Sequence, residues 1–197
     1  MSYTALSRAV REQLGQAHRF AHSVRVARFA ERLAARHGCS TAAARRAGLL
    51  HDVARLYAPE RLLAECAARG LATDAFERAH PIVLHARLGA EIAREFGERD
   101  EAVLQAIARH TVAADEMTAF DAVVYLADAL EPGRDYPARE ALAALAFDDL
   151  DLAMHDVIHS SVDHLMLRGE AVAPETAVAL TCYQRRLARR ERSPIPA

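Results

Sequence analysis

Along almost the whole chain, apolar residues recur at spacings of three and four, and strand-like alternation is nearly absent. At that period a helix buries one stripe and exposes the rest, so the fold is expected to be all-α. Alanine, which occurs 44 times, and leucine and arginine all favour helix. Glycine and proline divide the pattern into segments. Helices are expected at about Thr4–Gln13, His18–His37 (stopped by Gly38), Ser40–Leu50, Pro59–Gly70 and Ile82–Phe96 (closed by Gly97). Five more are expected at about Asp100–His110, Thr118–Leu130, Pro137–Ala146, Asp149–Arg168 and Pro174–Arg192. With 52 % hydrophobic side chains over 197 residues, one sizeable core can form. A single-domain helical bundle over residues 1–192 is expected, followed by a disordered tail at 193–197.

The side chains that are missing exclude whole chemistries. There is no lysine, asparagine or tryptophan, so all 25 positive charges are arginine. A Walker-type phosphate loop, a Schiff-base lysine, an asparagine oxyanion donor and an N-glycosylation site are therefore excluded. A net charge of −2 argues against nucleic acid as an obligatory partner, because backbone phosphates need a basic surplus. Cys39, Cys66 and Cys182 are scattered and odd in number, and read as buried thiols in a reducing compartment. Met1-Ser2-Tyr3-Thr4 lacks a basic region followed by an apolar run, so no secretory signal is expected. No apolar stretch approaches the roughly 18 residues of a membrane span. A cytoplasmic protein is expected.

Four features break the amphipathic pattern: His22 in mid-helix, the pair His51-Asp52, His110 at a helix end, and Asp128 inside Val123–Leu130. A carboxylate in an apolar run must be paired or bound to a metal. For Asp128 an arginine partner, or water at the helix edge, is as good an explanation as an ion. Adjacent helical residues point about 100° apart, so His51 and Asp52 can serve one ion only near a helix end or bend.

Taken in order, with His85 between them, these residues read H…HD…H…H…D. That order is the signature of the HD-domain superfamily of metal-dependent phosphohydrolases, which the chain resembles. The segments His18-Arg19-Phe20-Ala21-His22, Ala47-Gly48-Leu49-Leu50-His51-Asp52, His85-Ala86-Arg87-Leu88-Gly89-Ala90, Ala108-Arg109-His110-Thr111 and Ala127-Asp128-Ala129-Leu130-Glu131-Pro132-Gly133-Arg134 are similar to the bacterial YqeK type. Its members are symmetrical bis(5′-nucleosyl)-tetraphosphatases, which split diadenosine tetraphosphate into two ADP. The resemblance implies a helical bundle in which His22, His51, Asp52 and Asp128 hold iron, with manganese or another divalent first-row metal as alternatives. A second ion would be bridged by Asp52 and completed by His85 and His110. The resemblance also implies that His18, Asp52, His85, His110, Thr111 and Arg134 contact the phosphates. Of these, Asp52, His18, His85 and His110 would act in catalysis. The segment Gly169-Glu170-Ala171-Val172-Ala173-Pro174-Glu175 would reach the nucleoside. His80 competes with His85 for the middle position; His85 is preferred because Leu88-Gly89-Ala90 follows it.

The expected activity is thus hydrolysis of a phosphoanhydride by metal-activated water, with a dinucleoside polyphosphate or ADP-like nucleotide as ligand. An HD-domain nucleotidase or pyrophosphohydrolase acting on another nucleotide, or a noncatalytic nucleotide sensor, is the alternative. The remaining polar groups have plainer readings. His37 sits where a helix dipole favours a cation. His155, His159 and Asp163, four apart, read as a solvated face or a subunit contact, and a homodimer is an expected assembly. The arginines from Arg185 to Arg192 read as a solvated helix end.

Overall fold

The computed structural model describes residues 2–192, so the tail expected at 193–197 lies outside the described residues. Among the described residues there are eleven α-helices and no strand, as the apolar period requires. They are α1 (Tyr3–Leu14), α2 (Ala17–Arg36), α3 (Thr41–Leu50), α4 (Pro59–Ala68), α5 (Ala75–Ala79), α6 (Leu84–Glu95), α7 (Glu101–Arg109), α8 (Ala119–Leu130), α9 (Arg139–Asp148), α10 (Leu150–Leu167) and α11 (Pro174–Arg192). Ten of them lie within about three residues of the expected segments. The short α5 was not expected, and Pro81–Val83 forms a 3-10 turn that delays α6 to Leu84. Asp74 caps α5 through a reciprocal box with Glu77, a D-x-x-E signal present in the sequence but too short-ranged to stand out. Side-chain caps from Ser40, Asp100, Thr118 and Asp149 start α3, α7, α8 and α10.

Two apolar clusters make the core. One joins α1, α3, α4, α6 and α7; the other joins α8, α9, α10 and α11. Helix α2 serves both, because neighbours on a helix point to different sides: Val26 belongs to the second cluster and Ala27 to the first. Valines 123 and 124 divide α8 in the same way. The polar site lies along this seam.

Helices α2 and α3 form the most extensive helix pair, and Gly48 lets them meet. A Cβ at Gly48 would stand 2.7 Å from Ala27 Cα and 2.8 Å from its nitrogen, both backbone atoms that cannot swing away. Gly48→Ala is expected to force the helices apart at a cost of about 1–3 kcal/mol. Because α3 ends on His51, metal affinity should fall along with the melting temperature. Calorimetric melting with and without added metal checks both.

A second tie holds α3 to the start of α7. Glu98, 8 % exposed, accepts from Arg46 Nε at 2.7 Å and from the backbone N–H groups of Arg99 and Asp100, each at 3.0 Å. Burial works against the ionised carboxylate. Arg46 and those two amides outweigh it and hold Glu98 below its ordinary range. A depressed folded-state pKa means that the unfolded chain takes up the proton first as pH falls. Glu98→Gln should therefore cost about 1–3 kcal/mol near neutrality. That difference should shrink once the pH drops below about 4.3, the ordinary glutamate value. Denaturant titrations at neutral and acid pH test the sign.

The peripheral expectations fare unevenly. His37 is structural, its Nε2 lying 2.7 Å from Ala146 O. All three cysteines are free thiols, but only Cys66 is buried; Cys39, in the turn between α2 and α3, and Cys182, midway along α11, are half-buried. The C-terminal arginines are not all solvated: Arg190 binds Asp149 at 2.7 Å, and Arg186 binds Asp151 and Met117 O. These contacts fasten α11 to the start of α10.

Candidate metal centre and phosphate cavity

Each ligand candidate stands where its helix makes it available. His22 lies in the second turn of α2, His51 and Asp52 where α3 ends and the chain bends into turns, and His85 in the first turn of α6. His110 caps α7, and Asp128 occupies the last turn of α8. The bend at Leu50 satisfies the requirement for adjacent residues to face one point. His51 is fully buried, and His22, Asp52, His85 and His110 are nearly so.

The Asp52 carboxylate is the hub. Its Oδ2 faces His22 Nε2 at 3.9 Å and His51 Nε2 at 3.6 Å. Its Oδ1 faces His85 Nε2 at 3.3 Å and His110 Nε2 at 3.9 Å. Asp128 Oδ1 closes the first half, 3.0 Å from His22 Nε2 and 3.6 Å from His51 Nε2. His22, His51 and Asp128 form one group able to hold a metal ion, and His51, Asp52 and His110 a second.

The outer nitrogens of all four rings are occupied. His51 Nδ1 lies 2.8 Å from Gly48 O, His85 Nδ1 2.5 Å from Ile82 O, and His110 Nδ1 2.7 Å from Ile107 O. A carbonyl can only accept, so each of these nitrogens carries the proton. In a neutral ring, Nε2 then presents a bare lone pair to the centre. His22 Nδ1 donates in the same way to Glu131, 3.0 Å away. Such outer contacts are how proteins orient imidazole ligands on metals.

The inner nitrogens lack matching donors. His22 Nε2 and His51 Nε2 are buried without a hydrogen-bond partner. His85 Nε2 and His110 Nε2 are 3.2 Å apart, and the Thr111 hydroxyl, 3.1–3.2 Å from both, has one proton to give. Lone pairs that converge on two carboxylates call for a cation, so the donor set fits a divalent ion. The carboxylates also draw positive charge to this point, a proton on His51 where no ion is bound. Burial opposes the charged form of Asp52, yet His51, then His85 and His110, hold the carboxyl below its usual range. Burial also disfavours an imidazolium at His51, but Asp52 and Asp128 overcome it and raise His51 to about 9. Farther from the carboxylates, burial lowers His110 to about 3, helped by His51 and His85.

A cavity of about 350 Å³ opens over this centre, lined by His85, His110, Thr111, Arg134, Arg19 and Arg55 among others. Arg134 donates from Nη2 to Asp128 Oδ1 at 2.5 Å and from Nε to Asp128 O at 2.9 Å. A larger recess of about 620 Å³ shares Ala129, Arg134 and Ser161 with it and continues over Tyr136, Leu142, Val157 and Leu165.

The expected residues are thus partly gathered. His22, His51, Asp52, His85, His110, Thr111, Asp128 and Arg134 converge, whereas His80 is exposed and stacks on Phe76. His18 is exposed, one turn before His22, and does not line the cavity. Of Gly169 to Glu175 none lines it either; Glu175 borders a separate recess beside Val83, Arg109 and Val112. Two kinds of residue escaped the sequence reading. Glu131 was legible only as an acid in a quoted segment, and Arg19 and Arg55 as neighbours of ligands, three residues from His22 and from Asp52.

A family model for the HD domain matches residues 19–133, more than half of the chain. Among curated proteins, the chain is 34 % identical over 168 residues to the symmetrical bis(5′-nucleosyl)-tetraphosphatase of Bacillus subtilis, covering 85 % of this chain and 89 % of that one. It is 28 % identical over 185 residues to the protein of the same name from Staphylococcus aureus, covering 93 % and 95 %. A crystal structure from Clostridium acetobutylicum, described as a predicted HD superfamily hydrolase involved in NAD metabolism, superposes with a TM-score of 0.90 at 29 % identity. That match covers 94 % of this chain and 98 % of the other. The chain therefore belongs to the HD-domain family of hydrolases, in the group that includes the symmetrical bis(5′-nucleosyl)-tetraphosphatases.

Proposed function

We propose that this protein hydrolyses diadenosine tetraphosphate symmetrically, releasing two ADP. The observation that carries the reading is the convergence of four imidazole Nε2 atoms on the shared Asp52 carboxylate, beneath a cavity lined by arginines. His22, His51, Asp52 and Asp128 would hold one ion, and Asp52, His85 and His110 a second; imidazole and carboxylate donors suit iron or manganese. An ion bound there supplies Lewis-acid polarisation of a phosphoryl oxygen and a lowered water pKa. Hydrolysis of a phosphoanhydride is otherwise a matter of positioning and charge cancellation. Thr111, whose hydroxyl lies between His85 and His110, would give its proton to a phosphate oxygen. Arg134, once a nucleotide enters, can share its fork between Asp128 and phosphate. ADP is a stable leaving group and needs little help from a general acid.

In this reading the apolar recess beside Arg134 shelters a nucleoside, which Gly169–Glu175 would contact. The protein acts in the cytoplasm as a homodimer, with no nucleic acid or membrane as partner. Among the described residues no helix is long and apolar enough to cross a membrane. His18, exposed near the start of α2, would meet phosphate or orient water. His18→Ala is accordingly expected to lower turnover about 10²-fold, within the range of positioned proton-transfer groups. Its metal content should be unchanged; metal loss in elemental analysis refutes that role.

Incubating metal-loaded protein with diadenosine tetraphosphate and resolving the nucleotides tests the whole reading. Two ADP per substrate is the expected result. AMP with ATP would place the cut at the wrong anhydride, and tight ADP binding without turnover would make the site a sensor.

A further inference from the structure

Two arginines of the metal cavity have no carboxylate within hydrogen-bond distance. Arg19 comes from α2, one turn before His22, and Arg55 from the turn that follows Asp52; both line the cavity with Arg134. Arg134 is committed to Asp128 through two hydrogen bonds. The nearest carboxylate oxygen to Arg19 is Asp52 Oδ2 at 3.8 Å, beyond hydrogen-bond length, and Arg19 Nε is buried without a partner. Among the described residues the Arg55 guanidinium makes no hydrogen bond and no ion pair, although its backbone N–H donates to Asp52 O at 2.9 Å; the side chain meets Asp52 and Asp128 only at longer range.

This is an unusual place for spare cations. Buried or half-buried charge is ordinarily paired. Arg55 is disfavoured in its charged form by burial and by Arg19 and Arg134, with Asp52 and Asp128 opposing them. Both carboxylates are also the ones that a metal would neutralise. With them occupied, three guanidinium groups from three separate elements face one small cavity, and an incoming polyanion removes their mutual repulsion. Guanidinium also matches phosphate geometrically, giving paired N–H donors to two oxygens.

We propose that Arg19 and Arg55 form a clamp for the phosphate chain of the ligand, in addition to Arg134. In a linear polyphosphate every phosphate carries an ionised oxygen, and an ion at the scissile bond neutralises only those beside it. The clamp would hold the outlying phosphates and so fix which anhydride lies over the centre. Its substrate rests on the phosphoanhydride reading above; its chemistry, recognition of a polyphosphate, does not depend on where that chain is cut.

The test compares metal-loaded wild type, Arg19→Ala, Arg55→Ala and Arg55→Lys in two assays. Inorganic tripolyphosphate binding is measured by calorimetry, and KM and kcat are measured with diadenosine tetraphosphate. Each alanine variant is expected to lose about ten- to hundredfold in tripolyphosphate affinity, the worth of charged hydrogen bonds. KM should rise by a similar factor, with melting temperature and metal content held. Arg55→Lys should recover part of the loss, since lysine keeps the charge without the fork. Arg55→Ala decides the outcome even if Arg19→Ala disturbs Asp52. Unchanged tripolyphosphate affinity in Arg55→Ala, loss of its metal, or no binding to wild type would overturn the clamp. If wild type releases no ADP but binds tripolyphosphate through these arginines, the proposed reaction falls and the clamp stands. If wild type releases ADP and the alanine variants match it in both assays, the reverse holds.

Discussion

Asp52→Ala is expected to leave the protein without stoichiometric metal and to lower turnover about a thousandfold or more. Among the described residues Asp52 is the one side chain that faces all four histidines, through different oxygens at 3.3–3.9 Å. Removing it deprives both candidate ion positions at once, whereas removing Asp128 touches only the His22–His51 half. Lewis-acid stabilisation is worth several kcal/mol, and each 1.4 kcal/mol, about tenfold in rate, compounds to that figure. Asp52→Asn, which keeps the volume and loses the charge, should be nearly as damaging. A bound ion at a thousandfold excess over its Kd adds about 4 kcal/mol to stability. A chain of this length gains roughly 2–4 °C per kcal/mol. Chelation should therefore lower the wild-type melting temperature by roughly 10 °C and leave Asp52→Ala unmoved. An Asp52→Ala protein that retains metal and turnover would end the assignment of the site.

The helices were legible because their apolar period is long and their ends are punctuated by Gly and capping side chains. The ligands were legible because each violates its surroundings: Asp128 stands in an apolar run and His51-Asp52 follows Leu49-Leu50. Residues that act by reaching across the fold were not. Glu131 meets His22 and Arg25 over more than a hundred positions, and no local pattern encodes that distance. Arg19 and Arg55 are two of 25 arginines in a chain that uses no lysine, so their type carried no signal. Only burial and the lack of a hydrogen-bonded carboxylate set them apart. Conversely, closeness in sequence does not carry burial with it: His18, one turn before the buried His22, is exposed near the start of α2.

Glu131→Ala is expected to lower metal affinity about 10- to 100-fold, the usual loss when the outer partner of a ligand histidine is removed. Glu131 is 1 % exposed and serves three groups: His22 Nδ1, the Arg25 guanidinium through Nε at 2.6 Å, and Gly133 N–H at 2.5 Å. Burial disfavours its charge, but Arg25, then His22 and Gly133, hold it ionised with a pKa down to about 2. An ionised acceptor at Nδ1 keeps the proton on that nitrogen and leaves Nε2 free for the centre. Without it the His22 ring can turn or change tautomer, and either removes a ligand. The same change leaves Gly133 N–H unpaired, and Arg134, which follows it, loses the turn that aims it at Asp128. Two effects should therefore separate from a simple loss of stability. Metal affinity should fall in Glu131→Ala even where the melting temperature of the metal-free protein is matched by lowering the assay temperature, and KM for diadenosine tetraphosphate should rise once saturating metal restores turnover. Glu131→Gln can accept from His22 but cannot neutralise Arg25, so it should fall between wild type and Glu131→Ala. If metal affinity is unchanged in Glu131→Ala and only the melting temperature drops, Glu131 is an ordinary buried ion-pair partner, and His22 is oriented by the packing of α2 alone.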